Sequence, residues 1–90
     1  MFRLDGKIAV VIGGTGGLGE ACTEAMAKQG ATIVIASRNL EKLTGVAQKI
    51  NRDTGANVEA MQVDVTSKDS VVNLAKAVMQ KYKKVDILLN

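Results

Sequence analysis

A glycine-rich turn is the first place in the sequence where residue types and spacing could bind a ligand. The pattern G-x-G-x-x-G is formed by Gly14, Thr15, Gly16, Gly17, Leu18 and Gly19. The pattern follows an apolar run and opens a helical one, so free helix N–H groups and the positive end of the helix dipole would point at a pyrophosphate. We expect Gly14 and Gly16 to let the backbone approach the phosphates, and Gly19 to let the helix pack tightly.

A serine and an arginine follow the second apolar run, where the dinucleotide-binding fingerprint has an acidic residue that hydrogen-bonds the adenosine ribose. A carboxylate there would repel the 2′-phosphate of NADP. A guanidinium makes charge-assisted hydrogen bonds to that phosphate, and a serine hydroxyl adds another. Ser37 and Arg38 therefore predict NADP as the cofactor in preference to NAD. The alternative is that Arg38 is simply an exposed loop cation.

Asp64 and Val65 follow the third apolar run and should lie at the same edge of the sheet. There the aspartate could meet the adenine amino group while the valine lines the ring pocket. Spacing alone does not separate this interpretation from a second one, in which Asp64 belongs to the turn before Thr66.

Composition excludes several chemistries from these 90 residues, which contain no histidine and one cysteine. No Ser-His-Asp triad, Cys-His pair or histidine metal site can form from them. Cys22 has no disulfide partner and is expected to be a small core residue.

The net charge of +3 comes largely from late lysines, namely Lys76, Lys81, Lys83 and Lys84. We expect a solvated helix end rather than a nucleic-acid surface, since aromatic residues for stacking are scarce. The longest apolar run, residues 8–12, is too short to cross a bilayer, so a cytoplasmic protein without membrane contact is expected.

Hydrophobic periodicity predicts an alternation of strands and helices. The predicted strands are residues 7–12, 32–36, 58–63 and 85–89. The first helix carries an apolar stripe of Leu18, Ala21, Cys22, Ala25 and Met26 and ends at Gly30. Asn39 is the expected N-cap of the second helix, which ends near Gly55, and Thr66 that of the third. The third helix has an apolar stripe of Val71, Leu74, Ala75, Val78, Met79 and Tyr82.

This alternation predicts an α/β fold, a Rossmann-type doubly wound parallel sheet with strand order 3-2-1-4. The reversal of strand order places a crevice between strands one and four, onto which the glycine turn opens. Two helices cover one face and a single helix the other, which leaves the edge at residues 85–89 uncovered. We therefore expect residues 1–90 to form a cofactor-binding half-domain.

The motifs together resemble the short-chain dehydrogenase/reductase family along the whole chain. The resemblance is carried by Leu4-Asp5-Gly6-Lys7, Gly13-(x)3-Gly17-x-Gly19, Asp64-Val65 and Val85-Asp86-Ile87-Leu88-Leu89-Asn90. It implies that Ser37, Arg38 and Asn39 are the signature of NADP-preferring members and that Asp64 and Val65 contact adenine. It also implies that Asn90 opens an Asn-Asn-Ala-Gly motif beside the adenosine. Ile12 departs from the threonine of most members, which removes a hydroxyl but leaves the backbone cradle.

The resemblance implies hydride transfer between NADP(H) and a small alcohol or carbonyl substrate, in a protein that forms homo-oligomers. Family members use a Ser and a Tyr-x-x-x-Lys motif that lie downstream of the segment present here. Tyr82 is followed four residues later by Asp86 and is expected to be a packing residue. These 90 residues should thus bind cofactor without catalysing. The alternative is a non-catalytic Rossmann protein that binds nucleotides or senses redox state.

Overall fold

The computed structural model describes residues 3–13 and 17–89 and shows the predicted alternation. Its elements are β1 (Ile8–Ile12), α1 (Gly17–Lys28), β2 (Thr32–Ser37), α2 (Leu40–Thr54), β3 (Asn57–Gln62), α3 (Lys68–Tyr82) and β4 (Ile87–Leu89).

The four strands form one parallel sheet in the order β3-β2-β1-β4, as predicted. In the register of the sheet, Val10 of β1 stands beside Val34 of β2 on one side and Leu88 of β4 on the other. All strands therefore end at the same side of the sheet, which we call the carboxyl edge, and begin at the opposite amino edge. The Rossmann-type fold class is confirmed.

Both faces of the central strands are covered, so β1 and β2 are apolar at nearly every position. The face under α1 and α2 has a core of Ala9, Val11, Ala27, Ala31, Ile33, Ile35, Leu43, Ala47, Ile50 and Val58. The face under α3 has a core of Ile8, Val10, Val34, Ala36, Val63, Leu74 and Val78. The predicted division of helices, two on one face and one on the other, is correct.

The apolar stripe predicted for α1 is partly wrong. Among residues 19–28 of the helix, whose burial is described, Thr23 and Ala27 are buried, whereas Ala21 and Ala25 are exposed. Thr23 is tolerated against the sheet because its hydroxyl donates to the carbonyl of Gly19 at 2.9 Å. Cys22 is half-buried and not a core residue, which corrects that expectation.

Gly30 ends α1 as predicted. It has φ +96°, in the left-handed region that favours glycine, and two bonds of a Schellman motif surround it. The Gly30 N–H donates to the carbonyl of Ala27 at 3.0 Å, and the Ala31 N–H donates to that of Met26 at 3.2 Å.

The caps of α2 and α3 confirm one prediction and correct another. The Asn39 side chain accepts from the Lys42 N–H at 3.0 Å, as expected for the N-cap of α2. The N-cap of α3 is Ser67 and not Thr66. The helix begins at Lys68, and Ser67 Oγ accepts from the Ser70 N–H at 3.2 Å, whereas the Thr66 hydroxyl donates to Asp64 Oδ1 at 2.6 Å.

Strand β4 begins two residues later than predicted. The reason is that the Asp86 side chain, and not a backbone carbonyl of β4, accepts the hydrogen bond from the first residue of β1. The Ile8 N–H donates to Asp86 Oδ2 at 2.9 Å, while the Asp86 N–H donates to the Ile8 carbonyl at 2.8 Å. The β4 edge is uncovered as predicted, with Leu88 63% exposed. No helix in the described part of the chain has the length and apolar character needed to span a membrane.

Candidate functional site

A cleft of about 480 Å³ opens at the carboxyl edge, where β1, β2 and β3 end. Its lining consists of Ile12, Gly13, Ser37, Arg38, Asn39, Val63, Asp64, Val65 and Thr66. The volume lies in the range of small-molecule sites. Six of the residues predicted to bind cofactor, from three separate segments of the sequence, therefore line one cleft.

The backbone at Gly13 makes the turn from β1 toward α1. Gly13 has φ +80°, and its N–H donates to the carbonyl of Ala36 at 2.7 Å. This left-handed conformation is one that glycine adopts without steric cost. The turn leads to α1, whose first residues are Gly17 and Gly19 on either side of Leu18.

Some predicted cofactor residues cannot be placed. Gly14, Thr15, Gly16 and Asn90 lie outside the described residues, as does the side chain of Leu18. Their roles stay predictions.

The loop of residues 37–39 connects β2 to α2 and presents polar groups to the cleft. Ser37 Oγ accepts from the Asn39 N–H at 3.2 Å, which leaves the hydroxyl hydrogen of Ser37 able to donate to a ligand. Asn39 directs its Oδ1 to the cap of α2, so the positive end of that helix dipole lies beside the loop. These features favour an anion.

Arg38 adds a full positive charge at the same point. It is exposed, and within the described residues its guanidinium takes part in none of the salt bridges, which engage other cations. A guanidinium without a carboxylate partner keeps its paired donors for a phosphate. The loop thus combines a charge, a hydroxyl donor and a helix N-terminus.

Asp64 forms the turn before α3. Its Oδ1 accepts from both the backbone N–H and the hydroxyl of Thr66, at 3.0 and 2.6 Å. The Thr66 hydroxyl, then its N–H, and more weakly the charge of Arg38 lower the pKa of Asp64 below its ordinary value. The turn interpretation is therefore confirmed. Because only Oδ1 is used in that turn, an adenine contact through Oδ2 is compatible with it and stays a prediction.

The charged groups of the described cleft lining are suited to binding a ligand. Among the cleft-lining residues that the structure describes, only Arg38 and Asp64 carry a charge at neutral pH. Because the pKa of Asp64 is lowered, its carboxyl group stays ionised at pH 7 and is not poised to exchange a proton there. Ile12, the departure from the family pattern, adds apolar surface to the cleft where a threonine would add a hydroxyl.

Two supporting residues were missed by sequence reasoning. Ser70 Oγ accepts from the Asp64 N–H at 2.8 Å, and Gln62 Nε2 donates to the Arg38 carbonyl at 3.2 Å. Ser70 could have been found by placing the cap one residue later, since Ser67 and Ser70 have capping spacing. Gln62 gave no signal, because it looked like an ordinary outward residue of an edge strand.

Comparison with known proteins places this geometry in a family. Residues 7–90 match the short-chain dehydrogenase family, and the chain belongs to that family. An uncharacterised oxidoreductase of Staphylococcus saprophyticus is 38% identical over all 90 residues, which cover 38% of that protein.

Two solved structures show the same fold with different cofactors. L-sorbose reductase from Gluconobacter frateurii, complexed with NADPH and L-sorbose, has a TM-score of 0.89 at 32% identity, covering 97% of this chain and 33% of that one. NAD⁺-bound xylitol dehydrogenase also has a TM-score of 0.89, at 27% identity, covering 96% of this chain and 33% of that one. The fold is therefore shared by proteins that hold NADPH and by proteins that hold NAD⁺.

Proposed function

We propose that this chain is the cofactor-binding part of an NADP-dependent dehydrogenase or reductase, which transfers hydride between NADP(H) and an alcohol or carbonyl compound. The chain spans about 38% of the length of the first curated relatives it matches. The chemistry of the proposal therefore depends on groups supplied beyond the matched segment, and this chain's part is to hold the cofactor.

The observation that carries the NADP preference is the charge at the end of β2. Ser37 and Arg38 line the cleft, and Arg38 has no salt-bridge partner among the described residues. A 2′-phosphate placed there would receive hydrogen bonds from the guanidinium and the Ser37 hydroxyl, near the positive end of α2. NAD has no charged group at this position.

The remaining lining suits the nucleoside of the cofactor. Ile12, Val63 and Val65 supply apolar surface against which an adenine ring would pack. Asp64 supplies a carboxylate oxygen for the adenine amino group. When bound, the nicotinamide would donate the hydride to a carbonyl or accept it from an alcohol.

The nature of the substrate rests on similar proteins alone. The structural neighbours include an L-sorbose reductase and a xylitol dehydrogenase, whose names both describe alcohol–carbonyl chemistry. We propose the same reaction class for the complete protein, without assigning a particular substrate. Its cytoplasmic location and homo-oligomeric assembly stay predictions.

Arg38→Ala in the complete protein tests the proposal. Because hydrogen bonds to charged groups contribute strongly to affinity, their loss should weaken the binding of NADP⁺ by about 10- to 40-fold. This range allows for screening by salt at an exposed site. NAD⁺ affinity should change little. Isothermal titration calorimetry with both cofactors measures the two effects.

Arg52→Ala is the matched control, because it removes the same charge from the opposite end of α2, where Arg52 lies beside Asp53. It should leave both affinities unchanged. Equal losses for NADP⁺ and NAD⁺ in Arg38→Ala would mean that Arg38 supports the fold and not the 2′-phosphate, and the NADP assignment would be withdrawn.

A further inference from the structure

The 37–39 loop lies against the end of the neighbouring edge strand β3. Ser37 stands beside Gln62 in the register of β2 and β3, and the Val63 N–H donates to the Ser37 carbonyl at 2.9 Å. This main-chain bond can form with almost any residue at position 63. The bond fixes the backbone of Ser37 but does not hold the backbone of Arg38, the next residue.

The Gln62 side chain supplies that second link. Its Nε2 donates to the carbonyl of Arg38 at 3.2 Å, across 24 residues of sequence. Gln62 and Arg38 also line a second, smaller groove of about 330 Å³ together with Val63, Asp64 and Ser70. Residue 62 is therefore where the edge strand reaches the backbone of the residue whose guanidinium is assigned to the phosphate.

We propose that Gln62 is a positioning residue for cofactor selectivity: by holding the Arg38 carbonyl, it keeps the guanidinium directed to the cleft. This rests on the proposed function of Arg38. The long arginine side chain loses rotational freedom on binding a phosphate, and a fixed backbone reduces the additional freedom that must be lost. Gln62 thereby favours ligands that carry a 2′-phosphate without having to touch the phosphate itself.

Gln62→Met in the complete protein tests this, because methionine has the length of glutamine and lacks the amide donor. The probes are 2′,5′-ADP, which carries the 2′-phosphate, and 5′-AMP, which does not. Since the bond is exposed, we expect 2′,5′-ADP to bind about two- to five-fold more weakly and 5′-AMP to be unchanged. Gln80→Met makes the same chemical change at an exposed position of α3 and should alter neither affinity.

The double variant Arg38→Ala/Gln62→Met separates positioning from direct contact. If Gln62 acts through Arg38, adding Gln62→Met to Arg38→Ala should weaken 2′,5′-ADP no further. An equal additional loss in both backgrounds would show that Gln62 touches the ligand itself and would overturn the proposal. Equal weakening of 5′-AMP would show a general structural role and overturn it too.

Failure of this inference is distinguishable from failure of the proposed function. If Arg38→Ala reduces the preference for 2′,5′-ADP and Gln62→Met does not, the role of Gln62 is wrong and the NADP assignment stands. If Arg38→Ala leaves the preference intact, both are wrong.

Discussion

The two edges of the sheet use similar charged residues in different ways. Toward the amino edge three cations pair within the protein: Arg3 with Asp5 at 3.0 Å, Lys84 with Asp86 at 3.1 Å, and Lys81 with Glu59 at 2.6 Å. At the carboxyl edge, Arg38 takes part in no salt bridge among the described residues. The paired cations are engaged by neighbouring carboxylates, whereas the Arg38 guanidinium keeps its paired donors for a phosphate.

The amino edge also uses polar groups to complete backbone hydrogen bonding. The Arg3 guanidinium donates to the carbonyl of Lys28 in the last turn of α1, at 3.2 Å. Asp86 accepts from the Ile8 N–H, and that bond first, then Lys84, lowers the pKa of its carboxyl group. These side chains contribute to stability, and their hydrogen-bonding groups are already engaged within the protein.

A pair of glycine substitutions should give the largest effect that distinguishes the edges. Gly13 at the carboxyl edge and Gly55 at the amino edge have φ values of +80° and +70°, and a Cβ at either would meet no atom of the described residues within 4 Å. Alanine at each should therefore cost about 1 to 2 kcal/mol of stability through backbone conformation alone. Only Gly13→Ala should also weaken the binding of NADP⁺, since Gly13 lines the cleft.

Urea unfolding and cofactor titration of both glycine variants check this expectation. The stability losses should be similar and the affinity losses different. If Gly55→Ala weakened NADP⁺ as much as Gly13→Ala does, the two edges would not be functionally separate.

A smaller effect is expected from Tyr82→Phe, which removes the hydrogen bond from the Tyr82 hydroxyl to Glu59 Oε1 at 2.6 Å. We expect a loss of about 1 kcal/mol in the free energy of unfolding and no change in cofactor affinity. A change in the affinity ratio of NADP⁺ to NAD⁺ would contradict the assignment of Tyr82 to the scaffold.

The same variant has a defined pH dependence. Burial, then the bond and the charge of Glu59, raise the pKa of Tyr82 from 10.0 to about 12. Because the folded pKa is the higher one, the stabilisation is complete below pH 10 and is lost as the pH rises to about 12. The stability difference between wild type and Tyr82→Phe should therefore shrink across that window in urea unfolding.

The sequence was sufficient to predict the strand order and the meeting of Ser37, Arg38 and Asp64. Parallel strands end at one edge, so residues that follow them must converge whatever their separation in sequence. The bond between Gln62 and Arg38 could not be predicted, because it depends on the direction of one side chain across a strand pair.

Helix details show the same limit. Thr66 and Ser67 are both capping residues, and only the path of the chain out of β3 decides between them. In α1 the alanines fit either face, so hydrophobic spacing could not reveal that Thr23 and Ala27 face the sheet. Alanines on both faces of a helix differ too little in hydrophobicity for the sequence to show which face is buried.

The most direct test of the unpaired charge at the carboxyl edge is the affinity of the complete wild-type protein for NADP⁺ and NAD⁺, measured at low and moderate ionic strength. We predict that NADP⁺ binds at least about ten-fold more tightly and that added salt narrows the difference. Equal affinities, or tighter binding of NAD⁺, at low ionic strength would contradict the assignment of this edge to the 2′-phosphate.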